Sequence, residues 1–125
     1  MANILIAGAT GYIGSKLLRN LSHAGYTVRC GARIPEFLRS RVPGNVEVVP
    51  LDCTLPDTLE KATKQIDHAF YLVHSLGTKQ GYRFESIEYE CARHFAEVAA
   101  KNGVKKIVYL GGLGDAKTEL SAHLR

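Results

Sequence analysis

Residues 4–14 read Ile-Leu-Ile-Ala-Gly-Ala-Thr-Gly-Tyr-Ile-Gly. The apolar run Ile4 to Ala7 is closed by Gly8, and an apolar run of that length bounded by glycine reads as a fully buried strand. Behind it, Ile13, Leu17, Leu18 and Leu21 recur at helical spacing. They lay one apolar stripe along a helix from about Tyr12 to Ala24. Gly25 stands where a helix C-cap belongs. Tyr26-Thr27-Val28-Arg29-Cys30 then returns to strand character. Strand, glycine turn, helix and strand in this order make a βαβ unit of near-minimal length. Such a unit commits its two strands to a parallel sheet.

The rest of the chain continues the alternation. Pro35 to Arg41 predicts a short helix with Phe37 and Leu38 facing inward, broken at Pro43-Gly44-Asn45. Val46 to Leu51 predicts a third strand near an edge, because its tail carries a proline. Thr54 stands as N-cap, with Pro56 and Asp57 in the first turn of a helix whose apolar face is Leu59, Ala62 and Ile66. Ala69 to Val73 is the fourth strand. A glycine-bearing loop from Gly77 to Arg83, with Lys79, leads into a long helix from about Phe84 to Lys101. Its inward face is Phe84, Ile87, Cys91, Phe95, Val98 and Ala99. Asn102-Gly103 stops it, with Val104 as the accompanying apolar contact. Lys105 to Leu110 is the fifth strand, and Leu113 to Arg125 opens a further helix. Strands alternating with helices argue for an α/β, three-layer αβα, doubly wound parallel sheet of Rossmann type. Right-handed crossovers give it the strand order 3-2-1-4-5.

The 125 residues form one expected domain over 1–125. Hydrophobic residues at 46% and charged residues at 22% exclude wholesale disorder. No apolar run approaches the roughly 20 residues that span a bilayer, so no membrane partner is expected. Sixteen Lys and Arg against twelve Asp and Glu give +4. These charges are dispersed rather than blocked, which argues against nucleic acid. Met1-Ala2-Asn3 enters the first strand without a basic leader. The three cysteines, Cys30, Cys53 and Cys91, include no pair at metal-ligand spacing. Reduced, mostly buried thiols, no metal and a cytoplasmic setting are the expectation.

Gly8-Ala9-Thr10-Gly11-Tyr12-Ile13-Gly14 is a GxxGxxG motif between a buried strand and an amphipathic helix, the context that gives such glycines meaning. Gly8 allows the tight turn, Gly11 lets backbone N–H groups approach a pyrophosphate, and Gly14 lets the helix pack closely on the strand. The helix N-terminus, Tyr12 and Ile13 included, offers unpaired N–H groups and about half a positive charge. Thr10 adds a hydroxyl. A dinucleotide is the implied ligand; glycines serving helix–sheet packing alone are the alternative.

An acid at the end of the second strand would accept from adenosine ribose hydroxyls and repel a 2′-phosphate. Here Cys30-Gly31-Ala32-Arg33 has no acid before Glu36, and Arg29 and Arg33 are the nearby cations. Arg33 suits a 2′-phosphate, so NADP is preferred, with NAD as the alternative. Arg33 as a solvated loop charge is the plainer reading. Asp52 after the third strand accepts from an adenine amino group with Cys53 lining the ring, or else forms a local turn. Val73, His74 and Ser75 follow the fourth strand, where ribose and nicotinamide would pass. His74 serves there in proton transfer or as a structural histidine. On the long helix, Glu90 and His94 stand four apart as a surface pair.

With these residues in view, the chain resembles the short-chain dehydrogenase/reductase superfamily, and within it the atypical, NmrA-like NAD(P)-binding branch. The resemblance rests on Ala7 to Gly14, Val28 to Arg33 and Leu51-Asp52. It continues through Tyr71-Leu72-Val73-His74-Ser75 and Gly103 to Leu113. His-Ser after the fourth strand and Tyr-Leu-Gly-Gly-Leu after the fifth are similar to a bacterial subgroup labelled nucleoside-diphosphate-sugar epimerase or NAD(P)-binding protein. The resemblance implies hydride chemistry on an unnamed small-molecule substrate, and a homo-oligomer is compatible with it. Active members carry a Ser after the fifth strand and a Tyr-x-x-x-Lys on the next helix. This chain has Gly111-Gly112 at the first place, and no Tyr after Tyr109, whose +4 position is Leu113. The resemblance also implies more than two hundred residues, so the chain is expected to be the N-terminal part of a longer protein, cut after the fifth strand. Three functions stay open: a cofactor module of an oxidoreductase or epimerase-like protein, a non-catalytic NADP(H)-binding sensor, and a structural scaffold.

Overall fold

The structure, a computed structural model, describes residues 2–9, 11–72 and 82–109, with backbone alone over 82–88. Its elements run β1 (Asn3–Ala7), α1 (Tyr12–His23), β2 (Thr27–Ala32), α2 (Pro35–Arg39) and β3 (Glu47–Pro50), then α3 (Pro56–Thr63), β4 (His68–Tyr71), α4 (Tyr82–Lys101) and β5 (Lys106–Tyr109). The strands form one sheet in the order β3-β2-β1-β4-β5, and every pairing is parallel. This is the doubly wound order read from the sequence.

β1 lies at the centre, and its alternation builds two cores. Ile4 and Ile6 meet Leu18 of α1 and Leu38 of α2 on one face. Leu5 and Ala7 meet Leu59 and Ala62 of α3, and Phe95 and Ala99 of α4, on the other. The period of two along the strand is the whole reason both faces can be apolar. Phe95, only 1% exposed, anchors the second core with its ring centroid 4.9 Å from that of Tyr71. Tyr71 in turn stacks on Tyr109 of β5 at 5.8 Å.

The helix stops are as the sequence has them. Gly25 and Gly103 take φ of 93° and 85°, in the left-handed region that ends a helix. The Tyr26 N–H then donates to the Leu21 carbonyl, and the Val104 N–H to that of Ala99. Val104 packs on the second core.

Several expectations are corrected. Phe37 is 64% exposed while Leu38 is buried, because successive helical positions point about 100° apart. Ile13 is likewise outside the stripe of α1, at 48% exposure. Thr54 does not cap α3; Leu55 holds that position, with Pro56 at the first helical residue fixing the start. Glu90 has its hydrogen-bonded ion pair with Arg93, and His94 adds a smaller charge interaction of the expected kind. The Arg93 guanidinium donates to Glu90 at 2.6 Å and to Glu97 at 2.7 Å, one helical turn to either side. The cysteines are not all reduced: Cys53 and Cys91 form a disulfide, while Cys30 stays a buried free thiol. The turn after β3 and the middle of α4 share one face of the sheet, which brings their Cα atoms to 5.3 Å. Val73, Lys79, Leu110, the Gly111-Gly112 pair and the helix expected from Leu113 lie outside the described residues.

Candidate functional site

The carboxyl ends of four strands meet along one edge of the sheet. The Gly8 N–H donates to the Gly31 carbonyl at 3.3 Å, the Leu51 N–H to that of Ala32 at 2.8 Å, and the Leu72 N–H to that of Ala7 at 2.8 Å. These bonds set the glycine turn after β1, Arg33 after β2 and Asp52 after β3 along one end of the sheet. Open α/β sheets generally form a ligand crevice at that end where the strand order reverses, here between β1 and β4.

The three glycines of the motif have different reasons to be glycine. Gly8 has φ of 98°, which only a residue without Cβ adopts easily. A Cβ on Gly14 would stand 2.5 Å from the Gly8 carbonyl oxygen and 2.8 Å from the Ala9 Cα. The approach of α1 to the turn therefore requires glycine there. Gly11 is different. Its φ of −79° and ψ of 173° suit any residue, and among the described residues an added Cβ would meet nothing nearer than the Gly8 oxygen at 3.8 Å. The folded chain leaves room for a side chain at this position.

Gly11 is also the N-cap of α1. It supplies no side-chain cap, and the first turn contains no acidic residue. The first N–H groups of a helix have no partner within it, and they carry the positive end of its dipole. The crevice thus faces an anion-ready helix end. Ser15 hydrogen-bonds back to the Gly11 carbonyl at 2.6 Å and steadies that first turn. Tyr12, with the Lys16 ammonium 5.1 Å from its ring centroid, stands 74% exposed. A pyrophosphate fits this cradle: backbone donors, no competing carboxylate, and a glycine where the protein itself requires none.

Across the crevice, Asp52 Oδ1 accepts from the Thr54 hydroxyl at 2.7 Å and the Thr54 N–H at 2.9 Å. These bonds, with a smaller contribution from the Arg33 charge, hold the Asp52 carboxyl below its ordinary value. The local-turn reading of Asp52 is therefore realised in the structure. Arg33 is exposed, and its charge reaches Asp52. Arg29, close in sequence, is committed elsewhere. It pairs with Glu47 at 2.8 Å and donates to the Ala62 and Lys64 carbonyls at the end of α3. The Cys53 sulfur is bonded to Cys91. Of the other expected site residues, Thr10, Val73, His74 and Ser75 lie outside the described residues.

Two positions escaped the sequence reading. A Cβ on Gly31 would lie 2.9 Å from the Leu51 Cβ, so glycine lets the crevice floor close. The signal was available: glycine inside a strand marks a close approach. Ser15 gave no signal, because its role depends on the turn behind it. A cavity of about 260 Å³ lies beside the crevice, between α1 and the connection from α2 to β3. It shares Ala9 with the turn and has Arg19 and Arg41 in its wall.

A family model described as NAD(P)H-binding matches residues 8–124. No curated protein matches the chain. Among solved structures, that of gox2253 superposes with a TM-score of 0.74 at 30% identity, over 92% of this chain and 37% of that one. Citrobacter sp. triphenylmethane reductase complexed with NADP(H) gives 0.81 at 21% identity, over 98% and 42%. UDP-N-acetylglucosamine 4-epimerase from Bacillus cereus gives 0.72 at 17% identity, over 87% and 35%. The chain thus spans well under half the length of each of these proteins. The latter two likenesses are likenesses of fold.

Proposed function

This chain belongs to the NAD(P)H-binding family, and we propose that it binds NADP(H) in preference to NAD(H), as the cofactor module of an oxidoreductase or epimerase-like protein. The observation that carries the reading is Gly11. Neither its backbone angles nor its neighbours among the described residues require glycine, yet it stands at the uncapped, acid-free end of α1. A ligand passing over that point is the reason to keep it bare.

In this reading the N–H groups at Tyr12 and Ile13 hold the pyrophosphate over the bare Gly11, whose own N–H donates to the Gly8 carbonyl at 3.3 Å, with Gly8 and Gly14 shaping the turn beneath it and the Thr10 hydroxyl beside it. Arg33 takes the 2′-phosphate through its planar fork. Asp52 and Cys53 border the adenine, and Val73, His74 and Ser75 border the ribose and nicotinamide. When bound, the cofactor supplies hydride transfer at the nicotinamide ring. The chain's own part is to hold the anionic centre, orient the two ends and keep water from between them. The Citrobacter reductase that shares this fold is complexed with NADP(H), which supports a dinucleotide ligand here. A cytoplasmic setting belongs to the same proposal.

Calorimetric titration of the chain with NADPH and, separately, NADH tests it. Tighter binding of NADPH is expected. Absence of binding to a folded chain would overturn the reading, and equal affinities would remove the preference. A second reading, a non-catalytic NADP(H)-binding sensor, is favoured by Gly111-Gly112, which puts no hydroxyl where active relatives of the superfamily carry Ser. Binding without turnover on carbonyl and sugar-nucleotide substrates is its mark.

A further inference from the structure

The Cys53–Cys91 disulfide joins two parts of the molecule that pack on one core but have their hydrogen-bonded anchors in different places. On one side is the turn after β3. It is fixed locally by the Asp52–Thr54 bonds and by the Thr58 hydroxyl, which lies 2.9 Å from both the N–H and the carbonyl of Asp52. On the other side is α4. Its last turn is tied to α3 through Asn102, whose amide donates to the Thr63 hydroxyl at 2.8 Å and the Glu60 carbonyl at 3.2 Å. Cys91 lies halfway along α4, well before that anchor. The disulfide is the covalent link between this helix and the crevice edge where Asp52 and Arg33 stand.

Both cysteines are only half-buried, so the pair is not sealed in the core as Cys30 is. The third cysteine does not compete. Cys30 is fully buried, and burial pushes its thiol up to about 12, which leaves almost no thiolate at neutral pH. Accessible disulfides are the labile and regulatory ones, whereas buried thiols are inert.

We propose that Cys53–Cys91 is a reversible redox modification site that sets the adenosine side of the crevice, its reagent being a dithiol/disulfide couple. The proposal rests on the dinucleotide reading above. In reduction, a thiolate of the dithiol attacks one cysteine sulfur and breaks the S–S bond. The reagent's second sulfur then displaces the other, and the reagent leaves as a disulfide. Two electrons pass to the pair, and the two protons of the dithiol end on Cys53 and Cys91. Oxidation is the reverse, with a disulfide reagent taking the two electrons and two protons. In the oxidised chain the turn carrying Asp52 is held on α4 before ligand arrives, so less ordering is left for binding to do. In the reduced chain the turn and helix are joined, among the described residues, by packing alone.

The test is NADPH titration of the oxidised chain, of the chain reduced with dithiothreitol, and of the same sample re-oxidised. Alkylation and mass measurement count the thiols at each stage. The expected result is two additional alkylated cysteines on reduction, with at least a threefold loss of NADPH affinity that re-oxidation restores. Cys91→Ser and, as a second variant, Cys53→Ser bind like the reduced chain whether or not dithiothreitol is present. Equal affinity of the two forms, tighter binding by the reduced form, or no change in alkylated cysteines overturns the proposal. Binding by neither form overturns the dinucleotide reading and this proposal with it, an outcome the thiol count keeps distinct from a failure of the switch alone.

Discussion

Alanine at Gly14 and alanine at Gly11 separate what the fold requires from what a ligand requires. At Gly14 the new Cβ falls 2.5 Å from the Gly8 oxygen and 2.8 Å from the Ala9 Cα, where ordinary contact begins near 3.4 Å. Both neighbours are backbone, so no side chain can turn aside. Either α1 retreats by most of an ångström or the turn opens. Glycine to alanine in a helix gains about 1 kcal/mol from propensity. Overpacking of a tight site costs about 1–3 kcal/mol, and contact with fixed backbone places this one at the upper end. A net loss of about 2 kcal/mol follows, which lowers Tm by about 6–10 °C for a chain of this size. At Gly11 the same methyl comes only into ordinary contact with the Gly8 oxygen, on an extended backbone, so Gly11→Ala keeps Tm within about 2 °C of the parent. Its NADPH affinity falls about tenfold or more, and that of Gly11→Val about a hundredfold or more, near 2.7 kcal/mol. Circular-dichroism melting and calorimetry read the two effects. A Gly14→Ala chain that melts at or above the parent would refute the packing argument. A folded Gly11→Val chain with parental affinity would refute the site.

Arg33→Ala is expected to weaken NADPH binding by about 1.5–3 kcal/mol and NADH binding much less, since only the former offers a 2′-phosphate to the guanidinium; equal losses in paired titrations would exclude Arg33 from that role. Phe95→Ala removes the side chain that fills the second core against Tyr71 and should cost about 3–5 kcal/mol in urea unfolding. A loss below about 1 kcal/mol would mean that this core collapses around the gap. The Asp52 carboxyl is held below its ordinary value, so its ionised form stabilises the fold above the unfolded-state value, and that contribution disappears as pH falls through the folded-state value. The Tm difference between the parent and Asp52→Asn should therefore be constant near neutrality and shrink below about pH 4; a difference that widens on acidification contradicts the assignment.

Much of the fold is written in local periods. The apolar run before Gly8, the helical stripe through Leu17, Leu18 and Leu21, and the stops at Gly25 and Gly103 each need only a few neighbouring residues to be read. Alternation of such segments then leaves the doubly wound order as the economical topology. The crevice follows from the order, because the glycine turn, Arg33 and Asp52 all follow strands at one edge.

Where one residue's facing mattered, period reading was weaker. Phe37 and Leu38 are equally apolar and adjacent, and only the packing of α2 on the sheet decides that Leu38 is buried. Arg29 and Arg33 look alike as cations near the end of one strand. The end of α3 and Glu47 claim the first, and the crevice edge keeps the second. The Asp52 carboxylate is equally available to an adenine or to its own turn until Thr54 is seen to occupy Oδ1.

The strand–glycine–helix unit, the parallel α/β class and the anion-ready end of α1 are legible along the chain, because they depend on neighbouring residues. Only the packed molecule shows that Cys53 meets Cys91 and that Gly31 lets Leu51 close against the end of β2. Those are distances between segments remote in sequence, fixed only when two helices and a turn pack on the same face of a sheet.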